Sequence, residues 1–224
     1  MSFTLIIGNK TYSSWSLRPW LALSAAGVPF QEKLLPLGSD MFRETLAEFG
    51  TSGRVPLLLD GEVKVWESLA IIDHVAERHP DRPIWPQDPA ARGMARSIAA
   101  EMHAGFQALR NELPMNLARP PETRAITSKA AADVSRILSI FVEARRRFGA
   151  DGPFLFGRFC AADAMFAPVA TRLATYMVPL DPISESYVQA ILAQPDFVRW
   201  REAALKEEWV VAEDEVDWPE VKRF

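Results

Sequence analysis

Arg54-Val55-Pro56, with Glu67-Ser68 beginning eleven residues past the proline, combines the residue types of a slot for a small acid. A proline just before a strand cannot donate to the sheet and marks a tight or cis turn. The backbone of such a turn is left to pair with something extended lying against it. Glu67-Ser68 stands where a helix should begin, and a helix's first turn offers unpaired N–H groups and a partial positive charge. The Ser68 hydroxyl and those amides therefore suit a carboxylate, and the whole suits a peptide-like acid. A second polar run, Asn9-Lys10-Thr11-Tyr12-Ser13-Ser14-Trp15-Ser16, sets Ser13 and Ser16 at the spacing of a C-x-x-C redox pair, with hydroxyls in place of thiols. No His/Asp partner is placed to make any of these serines a hydrolase nucleophile.

Positioning such groups takes strands and helices in a set order. Leu57 to Leu59 is a short apolar strand, Asp60-Gly61 is a hairpin turn signal, and Val63-Lys64-Val65 is the return strand. Leu69, Ile71, Ile72 and Val75 then recur at helical spacing. Upstream, Phe3–Ile7 reads as a strand and Trp15 to Ala26 as a helix stopped by Gly27. Phe30–Leu37 reads as extended, and Asp40–Glu48 as a helix capped by Ser39 or Asp40. The order β-α-β-α-β-β-α predicts a small mixed sheet: the β-α-β unit favours parallel strands, and the Asp60-Gly61 turn makes the last pair antiparallel.

The proline-rich stretch His79 to Pro89 cannot continue either kind of element and reads as a linker. Beyond it strand alternation disappears. Helical patterns run over Ala90–Glu112, Glu122–Phe148, Asp163–Tyr176, Ser184–Ala193 and Phe197–Glu207. The expected fold class is thus α/β plus all-α. Residues 1–79 form the first domain, 80–89 the linker and 90–224 an all-helical second domain. The acidic run Glu213-Asp214-Glu215 reads as a solvated tail.

Composition narrows the function. A net charge of −4 leaves no basic footprint for nucleic acid or anionic membrane, and 49% hydrophobic with 24% charged residues is ordinary for a globular protein. No apolar run approaches the length of a bilayer span, and the N-terminus has no signal-peptide pattern. The one cysteine, Cys160, excludes an internal disulfide and makes the cytoplasm the expected compartment. His74, His79 and His103 have no metal-ligand spacing, so no metal is expected.

This order of elements, with the serine loop ahead of the first helix and the proline turn ahead of the third strand, resembles the cytosolic glutathione S-transferase family. The family joins a thioredoxin-like N-terminal domain to an all-α C-terminal domain, and the likeness covers essentially the whole chain. Val55-Pro56 matches the family's cis-proline turn, which pairs through its backbone with the cysteinyl unit of glutathione. Glu67-Ser68 matches the pair that holds the γ-glutamyl group, and Arg54 falls near the place of the glycine carboxylate. Cys160-Ala161-Ala162-Asp163 resembles the capping segment Ser/Thr-x-x-Asp that opens a core helix. With Cys160 at the Ser/Thr position the reciprocal cap is expected to be weak, while Asp163 keeps its part in folding.

The resemblance implies an enzyme that holds the glutathione thiol as a thiolate beside a hydroxyl. An unperturbed thiol has a pKa of about 8.5, and both an O–H donor and a helix N-terminus favour its charged form. Three hydroxyls compete for this role. Ser13 lies five positions before Arg18, as in serine-type members; Ser14 adjoins it; and Tyr12 ends the stretch where other classes use a tyrosine. The Ser-Ser-x-Ser run is similar to the zeta-class loop, with Trp15 replacing its usual cysteine.

The expected reaction is attack on a hydrophobic electrophile by a homodimeric transferase, with Met102, His103 and Phe106 lining the electrophile pocket. A glutathione-dependent isomerase of the maleylacetoacetate type is the alternative. Against it stand Trp15 and the lack of an obvious second cationic cluster. A non-catalytic glutathione-binding or regulatory protein of the same fold is the third reading.

Overall fold

A computed structural model describes residues 3–215, so both outermost ends of the expected domains lie outside the described residues. The first part runs β1 (Phe3–Ile7), α1 (Ser14–Ala25), β2 (Phe30–Leu34), α2 (Asp40–Glu48), β3 (Leu57–Asp60), β4 (Val63–Trp66) and α3 (Ser68–Arg78). The sheet order is β2-β1-β3-β4, with β1 and β2 parallel and the other two pairs antiparallel. This is the mixed sheet expected from the pattern, in the thioredoxin-like arrangement that the resemblance implies. Leu5 and Ile7 point from β1 into the main core under α1 and α3. Ile6 points the other way and packs with Leu35, Leu46 and Leu57. Both faces of β1 are thus covered, which explains its unbroken apolar sequence.

The extended segment ends earlier than Leu37. The Leu35 amide still bonds to the Ile7 carbonyl at 2.9 Å. Pro36, which has no N–H to donate, then ends the pairing. Ser39 caps α2, its Oγ accepting from the Phe42 amide at 3.1 Å.

The second part holds α4 (Pro89–Ala104), α5 (Gln107–Glu112), α6 (Ser128–Phe148), α7 (Ala161–Thr175), α8 (Pro182–Leu192) and α9 (Pro195–Ala204). The helix expected over Ala90–Glu112 breaks in two at Gly105-Phe106. Phe106 turns to φ 60 and buries its ring, while a Cβ at Gly105 would lie 2.8 Å from the Glu101 carbonyl oxygen. The Glu122–Phe148 helix begins only at Ser128, capped by Thr127; the Glu122 amide is instead bonded to the Thr175 carbonyl at 2.9 Å. Helix α7 is buried along nearly its whole length and is the central post of the molecule, packed against α1, α4 and α8.

The proline-rich stretch is packed rather than loose. Ile84 and Trp85 are buried, the Ile84 carbonyl accepts from the Ala161 amide at 2.7 Å, and Trp85 Nε1 donates to Asp73 at 2.9 Å. The acidic run is not a solvated tail. It forms a short 3-10 turn, Ala212–Asp214, with Asp214 and Glu215 half-buried against the rest of the molecule. Among the described residues no helix is long and apolar enough to cross a membrane.

Candidate functional site

The serine loop and the proline turn meet at one cleft. A cavity of about 400 Å³ is walled by Tyr12, Ser13, Ser14 and Trp15 on one side and by Arg54 and Val55 on another. Gln107, Arg110, Met115, Arg172 and Asp214 close it from the helical part. A smaller cavity of about 120 Å³ shares Trp15, Arg54 and Val55 with it and continues along Pro56 to Glu67. The two adjoin at Trp15, Arg54 and Val55, which wall both, and together they make up the candidate groove.

Each wall has a local cause. Val55-Pro56 is a cis peptide bond. The Val55 backbone has no backbone partner among the described residues, and Pro56 is buried at the head of β3. Gly8 permits this close approach: a Cβ there would stand 2.7 Å from Leu37 and 3.2 Å from Val55. Glu67 is the N-cap residue of α3 at φ 69, a strained conformation for a residue with a side chain. Its carboxylate is half exposed and lies 3.5 Å from His103 Nε2. Ser68 is fully buried and sets its hydroxyl 4.0 Å from the Met165 sulfur, and it lines neither cavity. Arg54 is exposed at the rim.

The three hydroxyls have different surroundings. Ser13 is the N-cap of α1: its Oγ accepts from the Ser16 amide at 3.3 Å and donates to Ser16 Oγ at 2.8 Å. Ser16 Oγ also accepts from the Gly8 amide at 3.1 Å, tying the loop to β1. Ser14 is the first residue of α1 and lines the groove. The Tyr12 hydroxyl donates to the Glu215 carboxylate.

Of the residues expected to line an electrophile pocket, Met102 and Phe106 are buried in the core and do not line the groove. His103 packs edge-on to Trp15 at 5.3 Å. Burial holds its pKa below the usual histidine value against the opposing pull of Glu67. The break after α4 moves the helical wall onto α5, so that Gln107 and Arg110 face the groove instead. Lys10 is drawn away to Glu32 at 2.8 Å.

Sequence reasoning missed Trp15 and a set of arginines. The guanidinium groups of Arg18 and Arg110 both lie over the Trp15 ring, at 4.1 and 4.7 Å from its centre. Arg18 is fully buried, with Nε donating to the Met165 carbonyl at 3.2 Å. Arg172, on α7, is buried with Nε and Nη1 unpartnered, and it lines the groove. Burial and the nearby Arg110 lower its pKa to about 10, which leaves it charged at neutral pH. Asp214 is the acid facing it across the groove, its own pKa raised to about 6 chiefly by burial, against the pull of Arg172. The expected lack of a second cationic cluster is therefore corrected. Arg18, Arg110 and Arg172 are scattered across the sequence, and only the packing of α1, α5 and α7 brings them together.

A family model described as the glutathione S-transferase N-terminal domain matches residues 12–78. A probable maleylacetoacetate isomerase of Caenorhabditis elegans is 37% identical over 103 residues, 46% of this chain and 47% of that protein. The maleylacetoacetate isomerase of Rattus norvegicus is 27% identical over 187 residues, 77% of this chain and 79% of that protein. The chain thus spans about half the length of the first of these relatives. A glutathione transferase homologue from Burkholderia, solved with bound glutathione, superposes with a TM-score of 0.69 at 24% identity, covering 91% of this chain and 98% of that one. Likeness at that identity speaks to the fold. Residues 12–78 thus match the glutathione S-transferase N-terminal domain, and the chain as a whole has the glutathione S-transferase fold.

Proposed function

We propose that the chain binds glutathione along the groove and holds its sulfur at Ser13 as a thiolate for attack on an electrophile. The observation that most supports this reading is that two cavities share Trp15, Arg54 and Val55 as a common wall, with the serine loop lining one and Pro56 and Glu67 the other. On this reading the unpaired Val55 backbone takes the cysteinyl unit. Glu67 and the first-turn amides of α3 take the γ-glutamyl end, and Arg54 takes the glycine carboxylate. Because Ser13 Oγ already accepts an amide N–H, its own proton is polarised and can turn from Ser16 to a thiolate. The Tyr12 hydroxyl is occupied by Glu215, which speaks against it as the donor. Ser14 remains the neighbouring candidate. The reading also implies a homodimer, checked by sedimentation.

The arginines favour a carboxylate-bearing electrophile over a purely hydrophobic one, and hence the isomerase chemistry that the worm and rat relatives are named for. There the thiolate adds to one carbon of a conjugated double bond, the resulting single bond rotates, and elimination of the thiol restores the double bond. Glutathione is unchanged at the end. The test is a mass balance with an unsaturated dicarboxylate. Turnover without loss of free glutathione supports the isomerase, stoichiometric loss supports the transferase, and no saturable binding of millimolar glutathione overturns both and leaves a non-catalytic protein.

Asp214 gives this reading a pH dependence. Its carboxyl becomes neutral as pH falls through about 6, removing the negative charge opposite Arg172. Glu213 and Glu215 push its pKa the same way, and Arg172 opposes them. Competitive inhibition by ethane-1,2-disulfonate, a dianion whose charge does not change over this range, should therefore tighten below that pH, by about 3–10-fold. Asp214→Asn should hold the tighter value across the range. Inhibition that tracks pH equally in both proteins contradicts the assignment.

A further inference from the structure

The serine loop belongs to the first domain in sequence, but its shape is held by the second. All four backbone polar groups of Lys10-Thr11 are partnered by residues beyond position 116. The amide of Lys10 donates to Glu207 Oε1 at 2.7 Å and that of Thr11 to Glu207 Oε2 at 3.0 Å. The carbonyl of Lys10 accepts from Trp200 Nε1 at 3.0 Å, and that of Thr11 from the Leu117 amide at 3.1 Å. The Thr11 hydroxyl lies 2.9 Å from the Ala204 carbonyl and 3.0 Å from Glu207 Oε2, its one proton set between two acceptors. Glu207, Thr11 and Trp200 are all buried.

This grip continues directly into the catalytic end of the loop. The Asn9 carbonyl accepts from the amides of Tyr12 at 3.3 Å and Ser13 at 2.8 Å, so the turn that aims Ser13 has the clamped pair at its centre. On the outer side, Lys10 Nζ spans the Trp20 and Trp200 rings at 5.4 and 5.2 Å and pairs with Glu32. A charged acceptor that receives two backbone N–H groups with both oxygens is a strong and directional anchor. Nothing in the first domain's own sheet supplies it.

We propose that Glu207 is a positioning residue for thiol activation: its carboxylate sets the Lys10-Thr11 backbone and thereby aims the Ser13 hydroxyl. It touches neither glutathione nor the electrophile. The proposal rests on the reading of Ser13 as the sulfur's hydrogen-bond donor. Its consequence is that the active thiol site exists only when the segment following α9 is docked, so the second domain contributes to the first step of the chemistry as well as to the electrophile's wall.

The test is made on the full chain with Glu207→Gln. The amide keeps one acceptor oxygen but turns an NH2 group toward the other backbone N–H, so the loop must shift while the side-chain volume is kept. The ultraviolet absorbance of bound thiolate should titrate about one pH unit higher than in the parent protein. kcat at neutral pH should fall about tenfold, with KM for glutathione changed less than twofold. Glu208→Gln, at the exposed neighbouring position, should change none of these. A bound-thiol pKa unaltered in a folded Glu207→Gln protein overturns the proposal, because a purely structural anchor would lower the melting temperature and leave that pKa in place.

Should Glu207→Gln not fold, the pair Thr11→Val and Thr11→Ser decides by the same titration. The valine is expected to raise the thiol pKa and the serine to preserve it; equal values for the two contradict the proposal. A parent protein that binds glutathione without lowering its thiol pKa, or does not bind it, defeats the underlying reading instead, and the two failures are thereby distinguished.

Discussion

Asp163→Ala is expected to destabilise the protein by about 2–5 kcal/mol, one of the largest single-residue effects in the chain. The carboxylate is fully buried at the start of α7, with Oδ2 accepting from the Cys160 amide at 2.9 Å and Oδ1 from the Leu155 amide at 3.0 Å. Truncation leaves both N–H groups buried without acceptors, each costing about 1–3 kcal/mol. The Cys160 sulfur faces the opposite half of the reciprocal cap, and a sulfur is a weak acceptor, so it cannot compensate.

The same burial raises the Asp163 pKa from 3.8 to about 6. Between those values the native carboxyl keeps a proton that the unfolded one has lost, so its contribution to stability falls as pH rises through that window. Asp214 titrates in the same window with the same sign. Asp163→Asn should therefore remove part of the slope while costing less than alanine. Chemical denaturation between pH 4 and 7 measures both effects; an alanine variant within about 0.5 kcal/mol of the parent contradicts the account.

Ser13→Ala is expected to raise the pKa of bound glutathione by about 1–2 units and to lower kcat at neutral pH by about 10–100-fold. The magnitude follows from the loss of one hydrogen bond to a charged sulfur, worth about 1.5–3 kcal/mol. The dissociation constant of glutathione should change little, since the ends of the tripeptide are held elsewhere in the proposed mode. Ser13 also caps α1, so a stability loss of about 1 kcal/mol accompanies the substitution. Ser13→Gly at the same position separates the roles, because glycine serves as an N-cap but offers no hydroxyl. If Ser14→Ala rather than Ser13→Ala produces the shift, the donor is Ser14.

The strand-and-helix part from β1 to α3 was legible because each of its elements is locally encoded. Asp60-Gly61 dictates the β3–β4 hairpin whatever surrounds it, and the alternation of strand and helix leaves few ways to order the sheet. The helical part was less so. The break at Gly105-Phe106 depends on a ring finding space in the core and on Arg110 covering the end of α4, where its Nε donates to the Gly105 carbonyl at 3.0 Å. Neither leaves a mark in periodicity.

The candidate site divides the same way. The turn at Val55-Pro56 and the helix start at Glu67-Ser68 are short-range signals. Glu207 and the arginine set are long-range: Glu207 reaches back 197 residues to the Lys10 amide. Glu213-Asp214-Glu215 looked like a tail because its charge density says solvent. Tyr12 and the facing Arg172 supply the tertiary partners that composition cannot see.

The most direct measurement of the central claim is a pH titration of the ultraviolet thiolate absorbance of glutathione bound to the unaltered protein. The account predicts saturable binding and a bound-thiol pKa at least about one unit below the free thiol's, with the shift lost in Ser13→Ala. A bound thiol that titrates like the free one, with Ser13 intact, would contradict it.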